Sequence, residues 1–195
     1  MRTSSPARER VLGAAERLFH ERGYTGVTMQ EIASALGMQT ASLYHHAPGG
    51  KQELFVEVME QSLERHREGL TRALTEPAPD LRARLEAAMR WFHSQPTMNL
   101  ERMVTSDFPA LPASVAARLQ RRVYESLHGP LRDALNEATR SGEIRAVHAD
   151  LMAGAFLSWA NAIAFSAGVR GKDAPPAEVL ARSLVDVLLL GLAPR

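Results

Sequence analysis

The chain has 195 residues, 45% of them hydrophobic, with 23 Lys or Arg against 22 Asp or Glu and no cysteine. That length fits one large domain or a small one followed by a larger one, and no apolar run reaches the roughly 18 residues of a membrane span. Lack of cysteine excludes disulfides, thiol chemistry and cysteine zinc sites and makes the cytoplasm the expected location, while a net charge of +1 excludes a bulk polycation.

The opening MRTSSPARER carries charge with no apolar segment behind it and is not expected to act as a secretory signal. Val11, Leu12, Ala15, Leu18 and Phe19 then recur at helical spacing and predict a first helix. Thr28 is a good N-cap, and Glu31 three residues later completes a capping box. The second helix starts there, with Ile32, Ala33 and Leu36 on one face, and Gly37 stands where a left-handed residue is needed to end it. The next segment, 39–46, is short and polar, with Gln39, Thr40, Ser42, Tyr44, His45 and His46 interrupted only by Ala41 and Leu43. A helix that polar gains little from burial, so its exposed face needs another partner. Helix, glycine turn and polar helix form a helix-turn-helix over about 28–47, whose second helix enters the major groove of double-stranded DNA.

Leu54, Phe55, Val58, Met59, Leu63 and Leu70 predict a long fourth helix to about Leu74, and Asp80 caps a fifth that Pro96 ends. A short helix around Leu100–Ser106 and a breaker-rich loop follow. Ser114 is placed to cap a long helix that Gly129-Pro130 kinks or divides, and Asp150 to cap another. A loop over 172–176 precedes a last helix, 177–192. With helical periodicity in every long segment, the fold is expected to be all-α. A small helix-turn-helix domain, 1–51, is followed by a larger helical domain, 52–195. Residues 1–51 hold six Lys or Arg against four Glu, and the remainder 17 against 18, a weak positive bias towards the first domain.

The ordered series Val11–Phe19 (VLGAAERLF), Gly23-Tyr24, Val27-Thr28, Ile32-Ala33, Leu36-Gly37, Ser42-Leu43-Tyr44-His45-His46 and Lys51-Gln52-Glu53-Leu54 resembles the DNA-binding domain of the TetR family of one-component bacterial repressors, from about Arg8 to Phe55. The run Ala47-Pro48-Gly49-Gly50-Lys51 departs from that pattern, being one residue longer and lacking the aromatic that usually follows the second His. The resemblance implies a homodimer, an effector pocket among the middle helices and a four-helix subunit interface. It aligns Thr40, Ser42 and Tyr44 with base or phosphate contacts.

The residue chemistry fits that alignment. Thr40 offers a hydroxyl or a methyl to a base edge, Tyr44 suits a phosphate, and the amides of Gln30 and Gln39 suit adenine. His45 is expected to contact DNA, Met29 offers only apolar contact, and Leu43 belongs to the small core. Lys51 and the Thr28 region are expected to hold phosphates, and Arg2 and Arg8 to reach the minor groove from a mobile arm.

Met89, Phe92, Met103, Tyr124 and Leu127 cluster on the middle helices, with Trp159 and Asn161 on the next. Such a stripe is either plain core or a pocket for a small, largely apolar effector. His93, Arg90 and Arg102 are the polar groups placed to orient an anionic one. The last two helices are apolar around most of their circumference and need cover on both sides, so Phe156, Ile163, Leu184 and Leu188 are assigned to an interface with a second copy.

No metal, cofactor or catalytic group is expected. His45 and His46 diverge by about 100° on a helix, and Glu125 with His128 is a single E-x-x-H pair where a di-iron bundle needs two. Neither a Gly-rich phosphate loop nor a nucleophile elbow occurs. The leading expectation is a homodimeric repressor on a near-palindromic operator, released by an effector. The alternatives are a helical small-molecule-binding protein or enzyme without specific DNA binding, and a DNA-binding regulator without an effector.

Overall fold

The computed structural model describes residues 5–96, 99–170 and 175–192, and among them every regular element is helical. In chain order these are α1 (Pro6–Arg22), α2 (Met29–Ala35), α3 (Thr40–His46), α4 (Gly50–Thr75), α5 (Leu81–Ser94) and α6 (Leu100–Arg102). A π-helical turn (Met103–Asp107) and a 3-10 turn (Phe108–Ala110) lead to α7 (Ala113–Val123). A second π-helical turn (Tyr124–His128) leads to α8 (Gly129–Arg140), followed by α9 (Ala149–Arg170) and α10 (Ala177–Leu192). No helix among the described residues is long and apolar enough to cross a membrane.

Two compact units emerge, one holding residues up to 62 together with 99–122, the other holding 63–96 and 123 onwards. In the first, α1 begins at Ser5, whose Oγ accepts the Arg8 amide at 3.3 Å, with Pro6 in the first helical turn, where a missing N–H costs nothing. Val11, Leu12, Ala15 and Phe19 face inward as their spacing requires and meet Val27, Ile32, Leu43, Leu54, Phe55 and Val58. Phe55 anchors this core, edge-on to Phe19 at 5.2 Å and tilted onto Tyr24 at 4.9 Å. α7 starts one residue before Ser114: the amides of Val115 and Ala116 use the Pro112 carbonyl, at 2.9 and 3.0 Å, so Ser114 lies inside the first turn and not at the cap.

The second unit is built on Leu63, Leu70, Leu81, Leu85, Met89, Leu127, Leu131, Leu135, Phe156, Leu157 and Val185, all buried. Asp80 caps α5 by accepting the Ala83 amide at 2.8 Å. Glu143 ties α5 to the end of α8, pairing with Arg84 at 2.7 Å and accepting the Leu81 amide. Gly69 is covered because the Trp91 indole lies directly on it. Pro130 explains the division at Gly129-Pro130: with no N–H to give the Ser126 carbonyl, it leaves the preceding turn to widen into π geometry, which stacks Tyr124 on His128 at 5.2 Å. α9 begins at His148, whose Nδ1 accepts the Leu151 amide at 3.3 Å. Asp150, expected at that cap, sits in the first turn and accepts the Tyr124 hydroxyl at 2.5 Å.

The expected interface residues are placed differently from one another. Phe156, Ile163 and Leu188 are buried in their own unit and Leu184 is half-buried. Among the described residues, the large apolar side chains left exposed on these helices are Leu151, Val179, Val187 and Leu190. A helix apolar all round has no sequence mark for its inward face. Of the loop expected over 172–176, only Pro175 and Pro176 are among the described residues.

Candidate nucleic-acid interface

The sequence of α2 builds a complete N-terminal cap. The Thr28 hydroxyl accepts the Glu31 amide at 3.2 Å, and the Glu31 carboxylate accepts the Thr28 amide at 2.8 Å and its hydroxyl at 2.9 Å. These Thr28 bonds hold the Glu31 carboxyl below the usual carboxylate range, and Arg22 adds an ion pair at 2.7 Å. At the other end the Met38 amide returns to the Ala33 carbonyl at 2.9 Å through Gly37, whose φ of +65° a side chain would strain. The chain is thereby turned into α3 within the four residues 36–39.

α3 gives the interior almost nothing. Leu43 is fully buried, whereas Ala41, Ser42, Tyr44 and His45 are exposed, Tyr44 at 47%, and Thr40 and His46 are half-buried. Gln39 precedes the helix exposed, with its side chain not used as a cap. Thr28 and Gln30 are exposed at the start of α2, but Met29 beside them is buried. The structure therefore brings Thr28, Gln30, Gln39, Thr40, Ser42, Tyr44 and His45 to the surface of one small unit.

Two basic residues expected on DNA have other engagements. Arg8 lies within α1, where its guanidinium donates to the His46 carbonyl at the end of α3 and pairs with Glu57 and, at 3.4 Å, with Glu53 of α4. Arg8 is a clamp of the fold and no part of an arm; Arg2 lies outside the described residues. Lys51 donates to the Tyr24 carbonyl at 3.0 Å with its ammonium 4.3 Å from the centre of the Tyr24 ring, which leaves two N–H donors. The unusual 47–51 run closes on itself: Ala47 is fully buried, Glu53 accepts the Gly49 amide at 2.7 Å, and Gly50 turns into α4 at φ +67°.

The second unit contains a cavity of about 780 Å³ between the end of α4, the 76–78 loop, Arg84 and the stretch 124–140. Leu74, Pro77, Ala78, Pro130 and Ala134 give it apolar walls; Arg67, Arg84, Arg132 and Arg140 line it with Glu76, Glu125, Asp133 and Glu137, Arg132 pairing with Asp133, Arg140 with Glu137, Arg67 with Glu64 and Arg84 with Glu143. Gly129 also lines it, and a Cβ there would meet nothing within 4 Å. Of the residues expected to form a pocket, Tyr124 alone lines this cavity. Met89, Phe92 and Leu127 are packed into the core, Trp159 and Asn161 are half-buried on α9, with the Asn161 amide spent on the Leu157 carbonyl at 2.9 Å, and Met103 belongs to the first unit. Among the described residues no group of three or more His, Asp or Glu is gathered as a metal site would require.

A three-helix core that exposes a polar helix behind a glycine turn defines a helix-turn-helix DNA-binding regulator. Residues 11–58 match the family described as bacterial regulatory proteins, tetR family, and residues 79–189 match the AefR-like transcriptional repressor C-terminal domain. The chain belongs to the TetR family, whose members are transcription factors and not enzymes. It is similar to the HTH-type transcriptional regulator LmrA of Bacillus subtilis, with 32% identity over 135 residues, which are 68% of this chain and 64% of LmrA's length. It resembles the crystal structure of PfmR from Thermus thermophilus, with 31% identity, 95% and 100% of the two chains covered and a TM-score of 0.66. AibR in complex with isovaleryl coenzyme A and operator DNA is 26% identical over 92% of this chain and 96% of its own, with a TM-score of 0.74.

Proposed function

We propose that this DNA-binding regulator is a ligand-responsive repressor that docks two copies of α3 into successive major grooves of a near-palindromic operator. The observation that carries the reading is that α3 commits only Leu43 to the interior and presents polar groups elsewhere. In this reading Thr40, Ser42, Gln39 and Gln30 face base edges, while Thr28, Tyr44, His45 and the remaining donors of Lys51 fix the helix against phosphates. Residues 1–51 supply this surface, and 52–195 the effector site and the pairing of subunits, in the cytoplasm. The pairing uses α9 and α10, where Leu151, Val179, Val187 and Leu190 are exposed and Leu184 half-exposed. Dimerisation is supported by the need for two recognition helices one turn of DNA apart.

The effector is an amphipathic acyl anion held in the arginine-lined cavity, with its chain along Leu74, Pro130 and Ala134 and its charge at Arg67, Arg132 or Arg140. The isovaleryl coenzyme A in the AibR complex supports this class over a purely apolar molecule. To carry the population from 1:99 to 99:1, the effector must favour the DNA-incompetent state by about 5.5 kcal/mol.

The experiment is a mobility shift on the DNA upstream of the protein's own gene, with and without isovaleryl coenzyme A. Thr40→Ala with Tyr44→Ala abolishes the shifted band while the melting temperature holds. Wild-type affinity in that double variant refutes the DNA surface, a monomer by sedimentation on operator DNA refutes the pairing, and an unchanged shift with the thioester refutes the effector class.

A further inference from the structure

The short stretch 99–107 lies within the part of the chain that matches the C-terminal domain of the family, yet it packs as part of the unit that holds the helix-turn-helix. Besides a hydroxyl contact between Ser106 and Thr25 at 3.4 Å, its polar contacts there are made by Arg102 and Asp107. Arg102 Nη2 donates to the carbonyls of Phe19 at 3.1 Å and His20 at 2.8 Å, and its Nη1 donates to that of Glu21 at 3.1 Å. These are carbonyls of the last turn of α1, at the negative end of its dipole; that of Phe19 also accepts the Gly23 amide at 2.9 Å. A planar guanidinium meets them with a rigid fork of donors, where an ammonium offers its three from a single point on a flexible stem. Asp107, 1% exposed, accepts the Tyr24 amide through Oδ1 at 2.8 Å and places Oδ2 3.6 Å from Arg102 Nε.

Tyr24 is the junction through which this arrangement reaches α2. Its amide is held by Asp107, its carbonyl by Lys51 and its ring by Phe55. Arg22, two residues earlier, pairs with the Glu31 carboxylate of the α2 cap. Gly23 between them has φ +75°, and a Cβ on it would lie 2.6 Å from Asp107 Oδ1 and 2.8 Å from Arg102 Nε. The glycine is thus fitted to the Arg102–Asp107 pair as well as to the turn.

We infer that Arg102 and Asp107 are positioning residues for DNA recognition: supplied from beyond α5, they cap α1 and fix the 23–28 corner from which α2, and so α3, is aimed. Groups that touch DNA must be held to within about half an ångström by neighbours that do not touch it. Arg102, expected from sequence to meet an anionic ligand, is committed to α1 instead. The inference takes DNA binding as given, and its test separates the two.

Arg102→Met, Arg102→Lys and Asp107→Asn are made in the full-length chain. Affinity is measured by fluorescence anisotropy for a duplex selected by the wild type from random-sequence DNA, at a temperature where circular dichroism shows each variant folded. Affinity falls about tenfold or more for Arg102→Met and Asp107→Asn, the scale of one charge-assisted hydrogen bond, and Arg102→Lys recovers part of it. The slope of log K against log salt stays that of the wild type, because a residue that touches only protein releases no counterions from DNA. Amide exchange over residues 24–36 accelerates while that of α5 does not.

Wild-type affinity in the folded variants overturns the inference, as does unchanged exchange over 24–36. A slope shallower by about 0.9 overturns it too, since Arg102 would then neutralise a phosphate directly. If Arg102→Met does not fold, the Lys and Asn variants decide. A wild type that selects no DNA sequence overturns the DNA reading, and the exchange measurement then still decides the clamp.

Discussion

The guanidinium of Arg8, in the first turn of α1, donates to the carbonyl of His46, the last residue of α3. One side chain thereby closes the end of the recognition helix and joins it to the Glu53 and Glu57 carboxylates of α4. Arg8→Ala removes a charge-assisted bond in a part-buried setting and is expected to cost about 1.5–3 kcal/mol. Urea unfolding measures that loss. DNA affinity at low temperature falls as well, although Arg8 itself does not face DNA; an affinity unchanged in the folded variant contradicts the clamp.

Leu43 and Ser42 are neighbours with opposite duties. Leu43→Ala leaves a cavity under α3 and is expected to cost about 2–5 kcal/mol, whereas Ser42→Ala stays within about 0.5 kcal/mol. On the proposed docking both are expected to weaken DNA binding, the first through disorder of the helix and the second through a missing hydrogen bond to the duplex. Chemical denaturation beside anisotropy titrations separates the two, and a large stability loss in Ser42→Ala argues against an outward-facing helix.

Lys51 holds Tyr24 and retains two donors. Lys51→Met is expected to lower stability by about 0.5–2 kcal/mol, because the ring no longer faces a cation. It is also expected to reduce the salt slope of DNA binding by about 0.9, the mark of one phosphate left without its cation. A reduced melting temperature with the slope intact assigns Lys51 to the fold alone.

The indole of Trp91 leaves Gly69 no room, since a Cβ there would overlap the ring. Gly69→Ala therefore displaces the indole and is expected to cost about 1–3 kcal/mol. In a Trp159→Phe background the remaining tryptophan is Trp91, so its emission spectrum reports the displacement directly. An unshifted spectrum and an unchanged denaturation midpoint contradict the packing.

Burial holds His93 and His128 below their ordinary value of 6.5, with Asp150 pulling His128 partly back. The buried Nε2 of His93 and Nδ1 of His128 have no hydrogen-bond partner. Below pH 6.5 the unfolded chain takes up protons that these rings refuse in the fold, so stability present above that pH is lost as pH falls towards their folded values. Urea midpoints at pH 8, 7, 6 and 5 should decline on the acid side, and His93→Gln with His128→Gln should flatten the decline. A wild type with equal midpoints at pH 7 and pH 5 contradicts it.

The helix-turn-helix was legible because its determinants are local: the Thr28–Glu31 box, the Gly37 stop and the isolated Leu43 all act within a few residues of themselves. The cavity was not, because its arginines come from three separate helices, α4, α5 and α8, and each reads alone as a solvated charge. The Met and aromatic stripe of the middle helices is core at Met89, Phe92 and Leu127, since period alone cannot tell a packed wall from a lined one. The inward faces of α9 and α10 were equally unreadable where nearly every position is apolar. Arg102 shows a further limit: nothing near position 102 in the sequence indicates that its partners are the carbonyls of Phe19, His20 and Glu21.

The lone anchor of α3 also bears on how such a protein diverges. Because six of its seven residues lie outside the fully buried core, most substitutions along it change the surface proposed to read DNA without disturbing what holds the rod in place. Duplicated copies of this gene are thus free to acquire new binding-site preferences in few steps, while Leu43 stays fixed.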